Sequence, residues 1–502
     1  MAQIQNALSY TQTIYTDFYA ARYEIAYCML VALGAAMLLT VAMRFMVKVI
    51  VYLVMFLVCL GTWGACAMLW LEWKAKDDDI KAKEDWVNGT STGPFPGVVT
   101  DAEESNRDYF MAGAIVVSIV SFLILIIVVA MRSRIRTAIA IFEEASKALG
   151  AIPVLFITPF TTFIWLACFI MYWVNFTMYM MTTQEYVIGG SSGFVEFRWA
   201  TEAGREYPDE STWYFMFIYW FFGFLWIVQF IAAAASFVIS GSIVSWYFSG
   251  PHDGEGAVKG SHDGFFGAIK MFVRYHLGTV AFGSLIIAIV QMMRCILTYI
   301  QHKYGEKAGA VGRFVMKCCQ CCLWCLEKCL KYINKNGYIM CNIHGYGFCK
   351  SACKAFFTLL NNLLLVAAVN GIGFLVLSLA KLMVCAGVAL FGYAIMYDNP
   401  EVNGSLWVIL LFCAFVGWSV ADAFMDLYGT AIDTILMCFL EDKKYNDGQS
   451  DAKRYHCGRS LQKFLHGAAG DLRHSIKHPK TGEEESAYGK AKTSSMMKVS
   501  QV

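Results

Sequence analysis

Long apolar runs separated by short polar intervals set the pattern of this chain. A helix needs about 20 consecutive apolar residues to cross the hydrocarbon core of a bilayer. Runs of that length cover about 24–46, 48–71, 109–131, 151–181, 213–247, 275–300, 368–397 and 404–438. The pattern therefore predicts an all-α, polytopic transmembrane helix bundle with eight clear spans. Helices are required because a lipid-exposed backbone must satisfy its own hydrogen bonds. A membrane β-barrel would show short alternating segments, and the sequence has none.

The polar intervals give the expected topology. The loop 72–108 is mixed in charge and carries a glycosylation sequon at Asn88, and the turn near 400 carries another at Asn403. Sequons are used only on the outer side, so both are placed outside. A third, at Asn175, lies inside a span and is expected to go unused. The intervals 44–48 and 131–147 are short and basic and read as cytoplasmic. Counting forward from Asn88 through eight spans would put Asn403 inside. One further crossing between 301 and 367 removes the conflict, and the segment at roughly 312–335 is the candidate. The alternative for that segment is a helix lying on the inner face, held by Arg313, Lys317, Lys328 and Lys331. The expected organisation is an extracellular juxtamembrane segment over 1–23, a membrane domain over 24–440 and a polar cytoplasmic tail over 441–502. The first residues have no basic n-region and no cleavage site, so they do not read as a signal peptide.

Composition supports the class. Hydrophobic residues make up 58% of the 502 residues and charged residues 16%, and mean hydropathy is +0.51. That is too little polar surface for a soluble globule, which carries roughly a quarter charged residues. Net charge is +2, so nothing points to nucleic acid. Enzyme signatures such as H-E-x-x-H and the phosphate loop are absent from the sequence. No cofactor and no metal site is expected.

Several stretches resemble the choline transporter-like family. They are RYHLGTVAFGSLIIAIVQMMRCIL (274–297), LYGTAIDTILMCFLEDKKYNDG (427–448), SGSIVSWYF (240–248) and IFEEASKALGAIPVLFITP (141–159). The cysteine-rich segment followed by NKNGYIMCNIHGYGFCKSACKAF (334–356) belongs with them. The matches run in family order over about residues 20–450. The resemblance implies a ten-helix solute carrier with both ends cytoplasmic and a large extracellular loop after the first helix. On that pattern this chain begins near the end of the loop, without the first helix. The resemblance also implies choline as substrate, moved by facilitated or proton-coupled exchange, with ethanolamine or other small cations as alternatives. The plasma membrane is the implied location, with mitochondrial and vacuolar membranes left open. Two readings from other classes compete: a cation channel lined by the last-span aspartates, and a non-transporting scaffold or receptor.

A quaternary ammonium is held by aromatic faces, with a carboxylate nearby. In the last span Asp422, Asp426 and Asp433 stand at offsets of 4 and 11, within about 40° of one another on a helix. Charges are costly inside a bilayer and face a cavity or a partner. Arg294 and Lys381 lie inside other apolar runs, so a network with those aspartates is expected. Asp433 and Asp422 could equally serve as structural ion pairs. Aromatic residues are dense in 213–230 and again in 151–181. From them Trp165, Trp173, Tyr219, Trp220 and Trp226 are candidates for a cation cage, with Asp422, Asp426 and Tyr428 beside them. For any single ring, lipid contact or helix packing is the competing reading. Pro159 is expected to kink its helix, Pro153 to sit in a first turn, and His276 to make a structural hydrogen bond.

Six cysteines crowd the stretch KCCQCCLWCLEKCLKY (317–332). Cys318, Cys322, Cys325 and Cys329 form one helical stripe. Ligands strung along a helix cannot close one tetrahedron, and cysteines one turn apart bridge poorly. Plain helix packing is the leading reading, followed by acylation near the membrane edge and then a metal site.

Overall fold

A computed structural model describes residues 16–89, 101–130, 132–181, 185–187, 196–198, 210–249, 263–304, 309–397, 406–446, 455–458 and 461–462. The helices are α1 (Arg22–Val87), α2 (Asp101–Ala130), α3 (Arg132–Ala151), α4 (Thr158–Met181) and α5 (Glu210–Phe248). They continue with α6 (Asp263–Met271), α7 (Leu277–Tyr304), α8 (Gly309–His344), α9 (Phe348–Asn361), α10 (Leu363–Met396) and α11 (Leu406–Tyr445). Eight stretches are long and apolar enough to cross a membrane: Arg22–Met43, Lys48–Val87, Ser105–Ile126, Pro153–Met181, Trp213–Phe248, Gly264–Tyr304, Leu363–Met396 and Leu406–Tyr445. These are the eight runs read from the sequence. The first two are joined without a loop, since α1 stays helical through the basic interval between them. A two-stranded antiparallel hairpin, Glu185–Val187 with Glu196–Arg198, lies in the interval after α4.

Pro159 does not kink a helix. The chain breaks earlier, at Ile152, whose φ of −121° and ψ of 72° leave the helical region, and Pro153 opens a 3₁₀ turn over Pro153–Ile157. Pro159 then falls in the first turn of α4, where no intrahelical N–H is lost. The span at α6–α7 carries one π-helical turn, Phe272–His276. His276 is buried there against Phe237, with ring centroids 5.4 Å apart, and its Nδ1 has no hydrogen-bond partner among the described residues. The hydrogen bond expected of His276 is therefore not made at Nδ1, where the ring packs on Phe237.

Helix direction settles where α8 runs. Along α7 and α8 the contacts pair Val280 with Tyr338, Gly283 with Asn334 at 2.7 Å, Gln291 with Glu327 at 2.9 Å and Thr298 with Gln320 at 3.2 Å. Numbers rise on one helix as they fall on the other, so the two are antiparallel over about 27 Å at 1.5 Å per residue. That is close to the thickness of a hydrocarbon core. Gly283 makes the approach feasible, since a Cβ there would meet Phe348 at 2.8 Å and overlap the Tyr338 hydroxyl. Against α11, α8 runs parallel: Lys335 meets Asp433 at 2.9 Å and His344 meets Glu441 at 3.0 Å. Helix α10 is antiparallel to α11 through Lys381–Asp422 at 2.6 Å and Cys385 Sγ donating to the Ala414 carbonyl at 3.3 Å. It follows that α7 and α10 point the same way. A chain that crosses a bilayer twice in one direction must return between, and α8 runs in the returning direction. It is absent from the apolar set because of its charges, Glu327, Lys331 and Lys335 among them, and these are paired within the bundle. The six cysteines from Cys318 to Cys329 are free and exposed on its outer side. They lie on one helix, as read, yet do not pack into the bundle.

Burial is concentrated at one end of the bundle. From Thr430 to Asp442 every residue of α11 except Asp433 is buried. Helix α3, read from sequence as a short basic interval, is buried almost throughout from Thr137 to Leu149 and packs into this end. Tyr428 donates its hydroxyl to the Phe142 carbonyl at 3.3 Å and is hydrogen-bonded to Ser146 of the same helix. Asp442 accepts from Tyr247 at 3.1 Å, from Asn446 at 2.7 Å and from the backbone N–H of His456 and Cys457 at 2.9 and 3.3 Å. Glu441 accepts from Thr358 at 3.1 Å and pairs with His344. The compact unit extends past 440 to Gly458, and Arg459–Val502 forms a second unit.

If α8 crosses, the intervals 305–308 and 345–347 lie on opposite faces. Single cysteines placed at Gly305 and at Gly347 in a background lacking the exposed native cysteines should react with a membrane-impermeant maleimide from opposite sides of sealed vesicles. Labelling of both from one side would put α8 on the membrane surface instead.

Candidate functional site

Charged side chains on α7, α8, α10 and α11 form two adjoining groups inside the bundle. In the first, Glu327 is almost fully buried and receives Arg294, Lys331 at 2.9 Å and Gln291 at 2.9 Å. Removing one member of such a buried set costs about 3–5 kcal/mol, because the other charge is left without a partner. In the second, Lys335 contacts Asp433 at 2.9 Å and Asp426 at 3.9 Å, while Lys381 contacts Asp422 at 2.6 Å. Tyr332 of α8 sits in the same group, its hydroxyl accepting from Asn370 of α10 at 2.9 Å.

The three last-span aspartates are not equivalent. The side chain of Asp433 is 17% exposed, that of Asp422 55% and that of Asp426 73%. An ionised carboxylate in the middle of a span is not tolerated in lipid and faces water or a partner. The second group sets three carboxylates against two ammonium groups, while the first sets Glu327 against Arg294 and Lys331; of the aspartates, Asp426 has the longest contact and the greatest exposure. The stripe ends abruptly, since beyond Asp433 the residues Thr434 to Asp442 are all buried. The arrangement is an acidic stripe on α11, exposed at Asp422 and Asp426 and covered by packing beyond Asp433.

The residues singled out in the sequence separate into three places. Lys381 and Asp422 meet as expected. Arg294 does not reach the last-span aspartates and engages Glu327 of α8 instead, because α8 lies between α7 and α11 on that side. Tyr428 is 1% exposed and its hydroxyl is committed to α3, so it locks helices together rather than joining the acidic stripe. The aromatic candidates form a separate seam between α4 and α5. Trp173 lies against Phe224 with centroids 4.5 Å apart, Trp220 against Phe176 at 4.2 Å, and Trp220 Nε1 donates to Thr177 at 3.0 Å. Trp226 Nε1 donates to the Ala281 carbonyl of α7 at 3.1 Å. Trp165 and Tyr219 are 68% and 70% exposed on the outside of their helices. The structure thus does not bring the expected rings to the acids.

Tyr332, Lys335, Asn370 and Glu327 are the residues of the two groups that the sequence reading missed. The available signal was the spacing Glu327, Lys331, Lys335, three charges at steps of four inside a helix. The cysteines around them drew attention to the opposite face. Of the glycosylation candidates, Asn88 is exposed at the C-terminal cap of α1, and Asn403 lies outside the described residues. Among the described residues no group of three His, Cys, Asp or Glu is arranged to hold a metal ion.

Comparison with known proteins assigns the family. The family model described as plasma-membrane choline transporter matches residues 115–444, which take in α4 to α11 with the whole acidic stripe. The chain is 32% identical over 458 residues to choline transporter-like protein 1 of Xenopus laevis, covering 90% of this chain and 64% of that one. It is 32% identical over 440 residues to choline transporter-like protein 1 of Rattus norvegicus, covering 87% of this chain and 62% of that one. With choline transporter-like protein 2 of Dictyostelium discoideum it shares 32% identity over 461 residues, 90% of this chain and 68% of that one. The chain spans less than two thirds of the length of the first two relatives. The family is one of transporters and not of enzymes, and this polytopic helix bundle belongs to the choline transporter-like family.

Proposed function

We propose that this protein carries choline or a closely related small organic cation across the plasma membrane, with Asp426 as the charge that draws the cation to the acidic stripe. The observation that carries this reading is the aspartate stripe of the last span, in which Asp426 has the longest ion-pair contact and the greatest exposure. A quaternary ammonium there would have a carboxylate for its charge, and the Tyr332 ring of the same group is the candidate for its methyl groups. The relatives named as choline transporter-like proteins support the substrate class.

A carrier exposes its site to one side at a time, and a stripe exposed at Asp426 and covered beyond Asp433 is consistent with that. The buried end of α11 carries polar pairs, Tyr247–Asp442, His344–Glu441 and Tyr428–Ser146, among its apolar side chains, and water can replace the partner in each. A channel lined by the aspartates would need an open path past Asp433, where the helix is packed on all sides. Lys335 and Lys381 give the cation competitors that must be displaced or re-paired as it binds, a route by which proton movement could be coupled to exchange. The exposed aromatics Trp165 and Tyr219 are left to lipid contact.

The direct test is radiolabelled choline uptake into proteoliposomes holding the purified protein, with unlabelled choline inside to reveal trans-stimulation. Saturable, trans-stimulated uptake is expected; none above empty vesicles would remove the transport reading. Asp426→Asn should raise KM a few-fold with little loss of protein, a charge contact at an exposed carboxylate being worth about 1 kcal/mol or less. Unchanged KM would take Asp426 out of the site. Lys381→Asp should nearly abolish uptake by placing two carboxylates together. The swap Lys381→Asp/Asp422→Lys should recover activity relative to the single change, a coupling of about 1–3 kcal/mol for neighbouring partners. Additive losses would show that the ion pair has no functional role.

A further inference from the structure

We propose that a groove between the second span and α3 binds the phosphate of an anionic phospholipid, with Arg132 and Arg136 holding the headgroup. The groove is a cavity whose wall is Tyr52, Met55, Phe56 and Cys59 of α1 and whose mouth carries Arg132 and Arg136 of α3. The two arginines are one helical turn apart, so both guanidinium groups reach the same opening. Both are exposed, and neither makes an ion pair among the described residues, whereas Lys147 on the same helix is paired with Glu144 at 3.3 Å. No carboxylate lines the cavity. Lys48, also exposed, begins the same stretch of α1.

The wall selects the source of the phosphate. Tyr52, Met55, Phe56 and Cys59 belong to a membrane-crossing stretch, and from Tyr52 to Cys59 the wall extends about 10 Å along the helix. Tyr52 and Phe56 are 49% and 62% exposed. A soluble anion could use only the guanidinium groups, whereas a phospholipid fills both parts, its phosphate on the arginines and its upper acyl chain on the aromatic and aliphatic wall. The charge selects the headgroup: two unneutralised guanidinium ions favour a net negative lipid such as phosphatidylserine, whose carboxylate offsets its ammonium, over a zwitterionic lipid of no net charge. The groove is on α1 and α3, away from the acidic stripe and its partners on α8, α10 and α11, so this site stands or falls independently of the transported substrate.

The full chain, purified in detergent, is titrated with dioctanoyl phosphatidylserine, dioctanoyl phosphatidylcholine and inorganic phosphate while the thermal unfolding midpoint is followed. Phosphatidylserine should raise the midpoint saturably, with phosphatidylcholine and phosphate each at least about tenfold weaker. Arg132→Gln/Arg136→Gln should weaken the phosphatidylserine response about tenfold or more, by removal of two charge-assisted contacts. Equal responses to the two lipids, or to phosphate alone, overturn the proposal, as does a double variant that responds like the wild type. Should the double variant not fold, the wild-type protein still decides: purified from vesicles of equal phosphatidylserine and phosphatidylcholine, it should retain phosphatidylserine in clear excess by mass spectrometry, and equal retention refutes the site.

Discussion

Everything in this bundle depends on the cost of charge in a bilayer. Each ionised side chain within a span must meet a partner or water, since a charge at the helix centre costs at least about 2.5–3.5 kcal/mol on insertion scales. Glu327 meets that demand with Arg294, Lys331 and Gln291, and in doing so fixes the register of α8 on α7. Lys335 meets it with Asp433 and Asp426, fixing α8 on α11, and Lys381 with Asp422 ties α10 to α11. Apolar packing between membrane helices gives little directional information, because lipid is as apolar as the helix surface. The ion pairs supply the direction and order that packing leaves undetermined.

That division explains which parts of the fold were legible in the sequence. The eight apolar spans follow from run length alone, and all eight recur in the structure. Helix α8 does not follow from hydropathy, since its charges are interior and its outer face is lined with cysteine; only the counting of sequons pointed to it. Local rules were reliable where the chain is local: Pro153 opens a turn as expected. They misjudged Pro159, because the break at Ile152 moved the start of α4 forward and made the proline harmless.

The candidate site was legible to the same partial degree. The aspartate stripe on α11 is a property of one helix, and helical periodicity reveals it. Partners across helices are not: the choice of Arg294 between the last span and α8 depends on which helix stands beside it. The hydroxyl of Tyr428 reads as part of the aspartate group from its position beside Asp426, yet Ser146 and Phe142 on a helix about 280 residues away claim it. A stretch as aromatic as 213–230 must place most rings outward or in the seam with α4, and sequence density alone cannot rank them.

The buried end of α11 mixes apolar packing with polar pairs. Ile432, Ile435, Leu436, Phe439 and Leu440 are all buried there, and opening such a seam would wet apolar surface at about 25 cal/mol per Å². Among them stand a tyrosine on a carboxylate, a histidine on a carboxylate and a tyrosine on a serine. Water can replace each polar partner, so these bonds add direction to the packing more than they add to the cost of parting it. The backbone N–H groups of His456 and Cys457 on Asp442 add chain beyond α11 to the same end. The ion pairs order the middle of the bundle, while apolar packing and polar pairs together order its end, so the two parts are held by different physics.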